Sequence, residues 1–234
     1  MPSRSVRVAE FRAGVVAVAP MLVGVVPFGL VAGASPVAKG LGGLAAVGFS
    51  TIVFAGTSQL AAIDVLGDGG SAWVAAIAAW TINLRLLLYS ASLAPYLSRE
   101  SLRTRLGVAY LLTDQAYAAS ITRWGPHDDP KRRVPFFLGG ALLLWTSWQL
   151  STIAGIFVGQ TVPDDVPLDF AVPLVFLTLL IPAIKGRSGA VAAVVGGAAA
   201  VLAAEVGGGS LAILAGAVAG IAAGAVAELR WGPP

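Results

Sequence analysis

Arg85 is a guanidinium inside an apolar run from about Ser71 to Leu93, a run long enough to cross a bilayer. Arginine stays charged at any accessible pH, and at the middle of a membrane helix it costs about 3 kcal/mol on insertion scales. Such a residue normally faces a polar cavity or a partner; the plainer alternative is a structural arginine snorkelling to the headgroups. On a helix, Thr81, Arg85, Tyr89, Ser92 and Tyr96 follow at steps of three and four residues and line one face. The position of Arg85 mid-run, with aromatic and hydroxyl neighbours on its own face, favours a site.

A second ionisable group, Asp114, lies in the short apolar stretch Leu106 to Thr122, where Tyr110, Asp114, Tyr117 and Ile121 would share one helical face. Asp114 either serves a site, neutralises Arg85 or caps a broken helix. A third feature is FAGTSQ, Phe54 to Gln59, in the middle of the apolar stretch Leu44 to Leu66. Glycine, hydroxyls and an amide at that depth predict a helix that unwinds and offers backbone groups to a ligand or ion; the alternative is a straight helix with hydroxyls bonded to their own backbone.

Bond-breaking chemistry finds little support. GTSQ at Gly56 to Gln59 is faintly similar to an intramembrane serine protease motif, but His127, the sole histidine, sits in a polar loop and cannot serve as its base. No HExxH or GxGD occurs, and the absence of cysteine removes thiol catalysis and disulfides. We expect no enzyme activity, no cofactor and no metal centre.

The elements that must position these residues are membrane helices. Of 234 residues, 57% are hydrophobic and 12% charged, with a mean hydropathy of +0.84, against about 25% charged residues in soluble domains. The expectation is an all-α integral membrane protein, one polytopic bundle of about seven to eight spans over residues 1–234, some of them broken or re-entrant. The segment after Arg4, Arg7 and Arg12 resembles a signal peptide, but from Ala13 to Ala34 it is long enough to span, and we read a first transmembrane helix there. Its Gly29 and Gly33 predict close helix contact, as do Gly216, Gly220 and Gly224 near the C-terminus. Further spans are expected at about Val134 to Gly159, Phe170 to Ile184, Ser188 to Ala204 and Ser210 to Ala227.

The net charge of +3 reflects basic residues clustered in short loops, which sets topology rather than recruiting nucleic acid. Eight spans with both termini cytoplasmic satisfy every loop except the one with Arg99, Arg103 and Arg105, which they place outside. Either that loop departs from the positive-inside rule, or Leu106 to Thr122 is re-entrant.

Three phrases together, FAGTSQLAA from Phe54, NLRLLLYSASLAPYL from Asn83 and LLTDQAYA from Leu111, are similar to signature blocks of the AzlC family. VPFGLVAGAS from Val26 fits as well. The resemblance implies a permease subunit that exports branched-chain amino acids through the cytoplasmic membrane with a small AzlD-type membrane partner. Two positions depart from the family's usual NLRH and TDE: Leu86 and Gln115 stand where a titratable histidine and carboxylate are usual. The candidate substrate contacts are Phe54, Gly56, Thr57, Ser58, Gln59, Asn83, Arg85, Tyr89 and Ser92, with Asp114 for coupling. The alternatives are a non-transporting assembly subunit and a channel or permease for another small solute.

Overall fold

The computed structural model describes residues 4–125, 129–161, 184, 186–206 and 211–232, in two units, Met1–Val175 and Phe176–Pro234. Every regular element among the described residues is helical. In the first unit, α1 (Arg4–Val18) and α2 (Leu22–Ala38) are joined by a 3-10 turn, Ala19–Met21, where Pro20 removes a backbone donor and tightens the chain. Together they form one apolar helix, Ser5–Ala38. Next come α3 (Gly42–Gly48) with a π turn at Phe49–Val53, α4 (Gly56–Gly67), α5 (Ala72–Leu93) with a 3-10 end at Ala94–Leu97, α6 (Leu102–Tyr110), α7 (Asp114–Arg123) and α8 (Pro130–Thr161).

The α1–α2 rod and α8 run side by side in the same direction. Gly14 lies against Phe136 and Gly140, and Gly33 against Thr152 and Ile156. A Cβ on Gly33 would collide with the Thr152 carbonyl, so these backbones touch only because the side chain is absent. The expected close contact of the first span is thus a contact with α8.

The stretch expected as an interrupted second span turns back on itself. Gly43 packs on Ile156 near the α8 C-terminus, and Ser50 Oγ meets Thr152 Oγ1 at 2.8 Å. The chain then breaks at Phe54, and α4 climbs back until Asp64 and Asp68 each reach Lys39 Nζ at 3.1 Å. Burial pushes the Lys39 ammonium down, but its hydrogen bonds to Asp64 and Asp68 and their charges outweigh this, so it is held above 10.5. Both ends of this hairpin therefore lie at the end of the unit where α2 finishes. Gly69, at φ +80°, closes α4 in the left-handed conformation that a side chain would oppose. Ser71 then caps α5 by accepting from Val74 N–H.

At the opposite end α5 finishes beside the α8 N-terminus, where Arg133 Nη1 donates to the Tyr96 carbonyl at 3.3 Å and the Tyr96 ring lies 5.7 Å from Trp124. From there α6 enters the unit, the chain breaks over Leu111–Thr113, and α7 returns until Arg123 Nη2 reaches Glu10 Oε2 at 3.1 Å. This second hairpin corrects two expectations. Tyr110 and Asp114 do not share a helical face, because Thr113 N-caps α7, accepting from Ala116 N–H, and ends the first helix before it. The segment with Arg99, Arg103 and Arg105 lies at the same end as Arg123, Arg132 and Arg133, so the stretch Leu106 to Thr122 is not one continuous helix but returns to the end it left.

Four helices among the described residues are long and apolar enough to cross a membrane: Ser5–Ala38, Ala72–Leu97, Pro130–Thr161 and Gly186–Glu205. The expected seven to eight is not reached among them: two expected spans are hairpins of short helices, Phe170 to Ile184 lies, but for Ile184, outside the described residues, and the stretch expected at Ser210 to Ala227 is the helix Leu211–Trp231, which is not among the four. In the second unit, α9 (Gly186–Glu205) packs on α10 (Leu211–Trp231). Gly216 and Gly220 face Gly196 there, and Gly224 faces Ala192, the close packing their four-residue step implies.

Candidate functional site: a cavity where two helix breaks meet

Each hairpin presents its tip to the other. At the first, Phe54 adopts φ +43°, the one positive φ outside glycine among the described residues, and Ala55 is extended. A left-handed non-glycine residue costs on the order of 1–2 kcal/mol, and here the buried Phe54 ring holds it, 6.3 Å from Tyr110. The break is also locked from behind. Gln59 Nε2 donates to Ser50 Oγ at 3.1 Å and to the Ala32 carbonyl at 3.4 Å, while Gln149 Nε2 donates to the Ser50 carbonyl at 2.9 Å. Ser58 Oγ donates to the Ala55 carbonyl. The first N–H groups of α4 and α7 have no intrahelical partner, and both helix starts border the same space.

That space is a cavity of about 110 Å³ lined by both tips together with α2, α5 and α8. Arg85 reaches into it. Its Nη2 lies 3.2 Å from Asp114 Oδ2 and donates to Thr57 Oγ1 at 3.1 Å, so one guanidinium nitrogen ties α5 to both hairpins. The pair is not closed off, since the two side chains are 36% and 40% exposed. Arg85 Nε, Asp114 Oδ1 and Trp148 Nε1 are buried atoms without a hydrogen-bond partner, although each residue lines the cavity. Two donors and one acceptor stand unused, a complement for a small ligand carrying both charges. Val25, Phe28, Leu144 and the apolar face of Trp148 complete the wall.

Of the residues singled out from sequence, Phe54, Gly56, Thr57, Arg85 and Asp114 line this cavity. Ser58 and Gln59 are buried in the lock behind the break. Asn83 is half-buried, its Oδ1 unpartnered. Tyr89 and Ser92 continue along α5, where Tyr89 stacks on Tyr117 at 4.3 Å and Ser92 Oγ meets the Tyr117 hydroxyl at 3.0 Å. Phe28, Trp148 and Leu112 were not legible as lining, because nothing in an apolar run tells which face meets a distant break. Leu86 and Gln115, the two departures from the family pattern, both line the cavity. Asp114 is therefore the single carboxylate in its wall. Thr57 Oγ1 accepts from Arg85. Among the described residues no three of His, Cys, Asp and Glu cluster to hold a metal.

The chain is 27% identical over 223 residues to the inner membrane protein YgaZ of Escherichia coli (strain K12), covering 92% of this chain and 89% of that protein. It is 32% identical over 196 residues to an uncharacterized membrane protein of Archaeoglobus fulgidus, covering 82% and 84%. No solved structure matches it. Residues 20–162 match the family described as AzlC protein, and because that segment carries both hairpins and every residue of the cavity wall, the membrane protein built around this cavity belongs to the AzlC family.

Proposed function

We propose that this chain is the permease subunit of a secondary transporter that exports branched-chain or other small neutral amino acids across the cytoplasmic membrane, acting with a small AzlD-type membrane subunit. The observation that carries the reading is the Arg85–Asp114 pair at the meeting of two helix breaks, beside a cavity with unused polar atoms and aliphatic walls. The substrate carboxylate goes to Arg85 and the α4 N-terminus, and its side chain to Val25, Phe28 and Leu144. A carboxylate arriving at Arg85 competes with Asp114. Displaced, Asp114 is free to meet the substrate ammonium, which couples binding to its charge. The end carrying Arg99 to Arg105 and Arg123 to Arg133 is cytoplasmic by its arginine content, as is the N-terminus beside it.

A non-transporting assembly subunit would use the same pair only as a closed brace; the exposure of both side chains and the adjoining cavity favour transport. A channel for another small solute has less to recommend it, since two hairpin tips and a salt bridge close the path. The test is flux of labelled leucine in proteoliposomes holding this chain with its small partner, with and without a proton gradient. Gradient-dependent leucine movement above that of empty liposomes is expected; flux equal to empty liposomes under both conditions would overturn the reading.

A further inference from the structure

We propose that the arginine-bearing end of the first unit binds one anionic phospholipid, its phosphate among Arg12, Arg123 and Trp124 and an acyl chain in the groove between α1 and α7. The groove holds about 980 Å³ and is floored by small residues, Ala13 and Ala17 of α1 and Ala118 and Ala119 of α7. Its charges are confined to one end, where Arg12 and Arg123 line it, and its far end is Met21. Nine residues of helix from Arg12 to Met21 rise about 14 Å, close to half of a hydrocarbon core of about 30 Å. A groove that is cationic at headgroup level and ends at the bilayer middle fits the chain of one leaflet, whereas a protein helix would call for a track across the whole membrane.

A polar cavity of about 160 Å³ adjoins the cationic end, sharing Arg123 and Phe136 with the groove. Glu10, 7% exposed, pairs with Arg123 at 3.1 Å and Arg132 at 3.4 Å, and so fixes the guanidinium of Arg123 between the two spaces. Trp124 also lines this cavity. It is 4% exposed, and its Nε1 is a buried donor without a hydrogen-bond partner. An unpartnered buried N–H on a residue that lines a cavity with three arginines is complemented by a phosphate oxygen. Arg12, Arg123, Arg132 and Arg133 outnumber Glu10 and Asp129 there, so the surroundings are cationic among the described residues. This is the kind of basic pocket between membrane helices that holds acidic lipid headgroups.

The test is native mass spectrometry of the full chain released from mixed micelles of phosphatidylglycerol and phosphatidylcholine. Trp124→Phe removes the donor and keeps the ring; Arg12→Gln removes a charge that makes no ion pair among the described residues. Neither strips Glu10 of its partners, and melting of each variant in lipid-free detergent verifies folding. Wild-type protein is expected to retain one phosphatidylglycerol in preference to phosphatidylcholine, with retention about fivefold weaker in Arg12→Gln and weaker again in the double variant. Equal retention of the two lipids, or variants that hold phosphatidylglycerol as wild type does, would overturn the proposal. So would a chain dimer recovered in place of the lipid, which would assign the groove to a second copy.

Discussion

At the scale of the residue, two charges of opposite sign from apolar stretches of the sequence stand 3.2 Å apart, and each leaves a polar atom unused. A buried ion pair loses several kcal/mol when one partner is removed, but 36% and 40% exposure discounts that figure, and a coupling of about 1–2 kcal/mol is expected here. Thermal stability of Arg85→Gln, Asp114→Asn and the double variant should give that coupling, with the double variant less damaged than the sum of the singles. Strictly additive losses would show that the pair does not act as one. Arg85→Lys should impair export almost as badly as Arg85→Gln, because a lysine stops short of the position from which Nη2 meets both Asp114 and Thr57 and has no second nitrogen in place of the unused Nε. Flux at equal protein levels measures this. Both charges were legible in the sequence, since a charge in an apolar run needs a partner. That Asp64 pairs with Lys39 was not legible, because it depends on the first hairpin turning back.

At the scale of the element, what matters is where helices stop. The first break was legible in FAGTSQ because glycine and hydroxyls weaken a membrane helix at mid-depth. The direction of Ser58 and Gln59 was not, since helical periodicity loses its phase across a left-handed Phe54. The second break was less plain, as Leu111 and Leu112 continue the apolar run and only the cap Thr113 marks the new start. Thr113→Ala should cost about 1 kcal/mol of stability through that cap, read as a lower melting temperature, while Thr81→Ala, in the interior of α5 where the hydroxyl donates to the Ile77 carbonyl, should cost less. Gly33→Ala should cost about 1–3 kcal/mol, because its methyl meets the Thr152 carbonyl and the two backbones must part. An unchanged melting temperature would contradict so close a crossing.

At the scale of the whole first unit, three long apolar helices frame two hairpins that enter from opposite ends and meet at Arg85. Composition made a helical membrane protein legible, but not the hairpins, because hydropathy counts apolar length and cannot see a chain reverse. The contacts that reveal it, Lys39 with Asp68 and Glu10 with Arg123, join residues far apart in sequence. The natural absence of cysteine permits a direct assay of this topology. Single cysteines at Ser101 and Lys131 should label from one side of the membrane and one at Asp68 from the other. If Ser101 labelled together with Asp68, the second hairpin would not exist.

The claim on which the rest depends is that substrate occupies the cavity between the hairpin tips. Leu112→Cys places a thiol in its wall without touching Arg85 or Asp114. The measurement is the rate at which a small methanethiosulfonate modifies that cysteine in proteoliposomes, with and without leucine at concentrations that saturate export. Leucine is expected to slow the reaction several-fold, and lysine, whose second ammonium would lie against the aliphatic wall, to leave it unchanged. Modification at the same rate while export is saturated would place the substrate elsewhere and contradict the account.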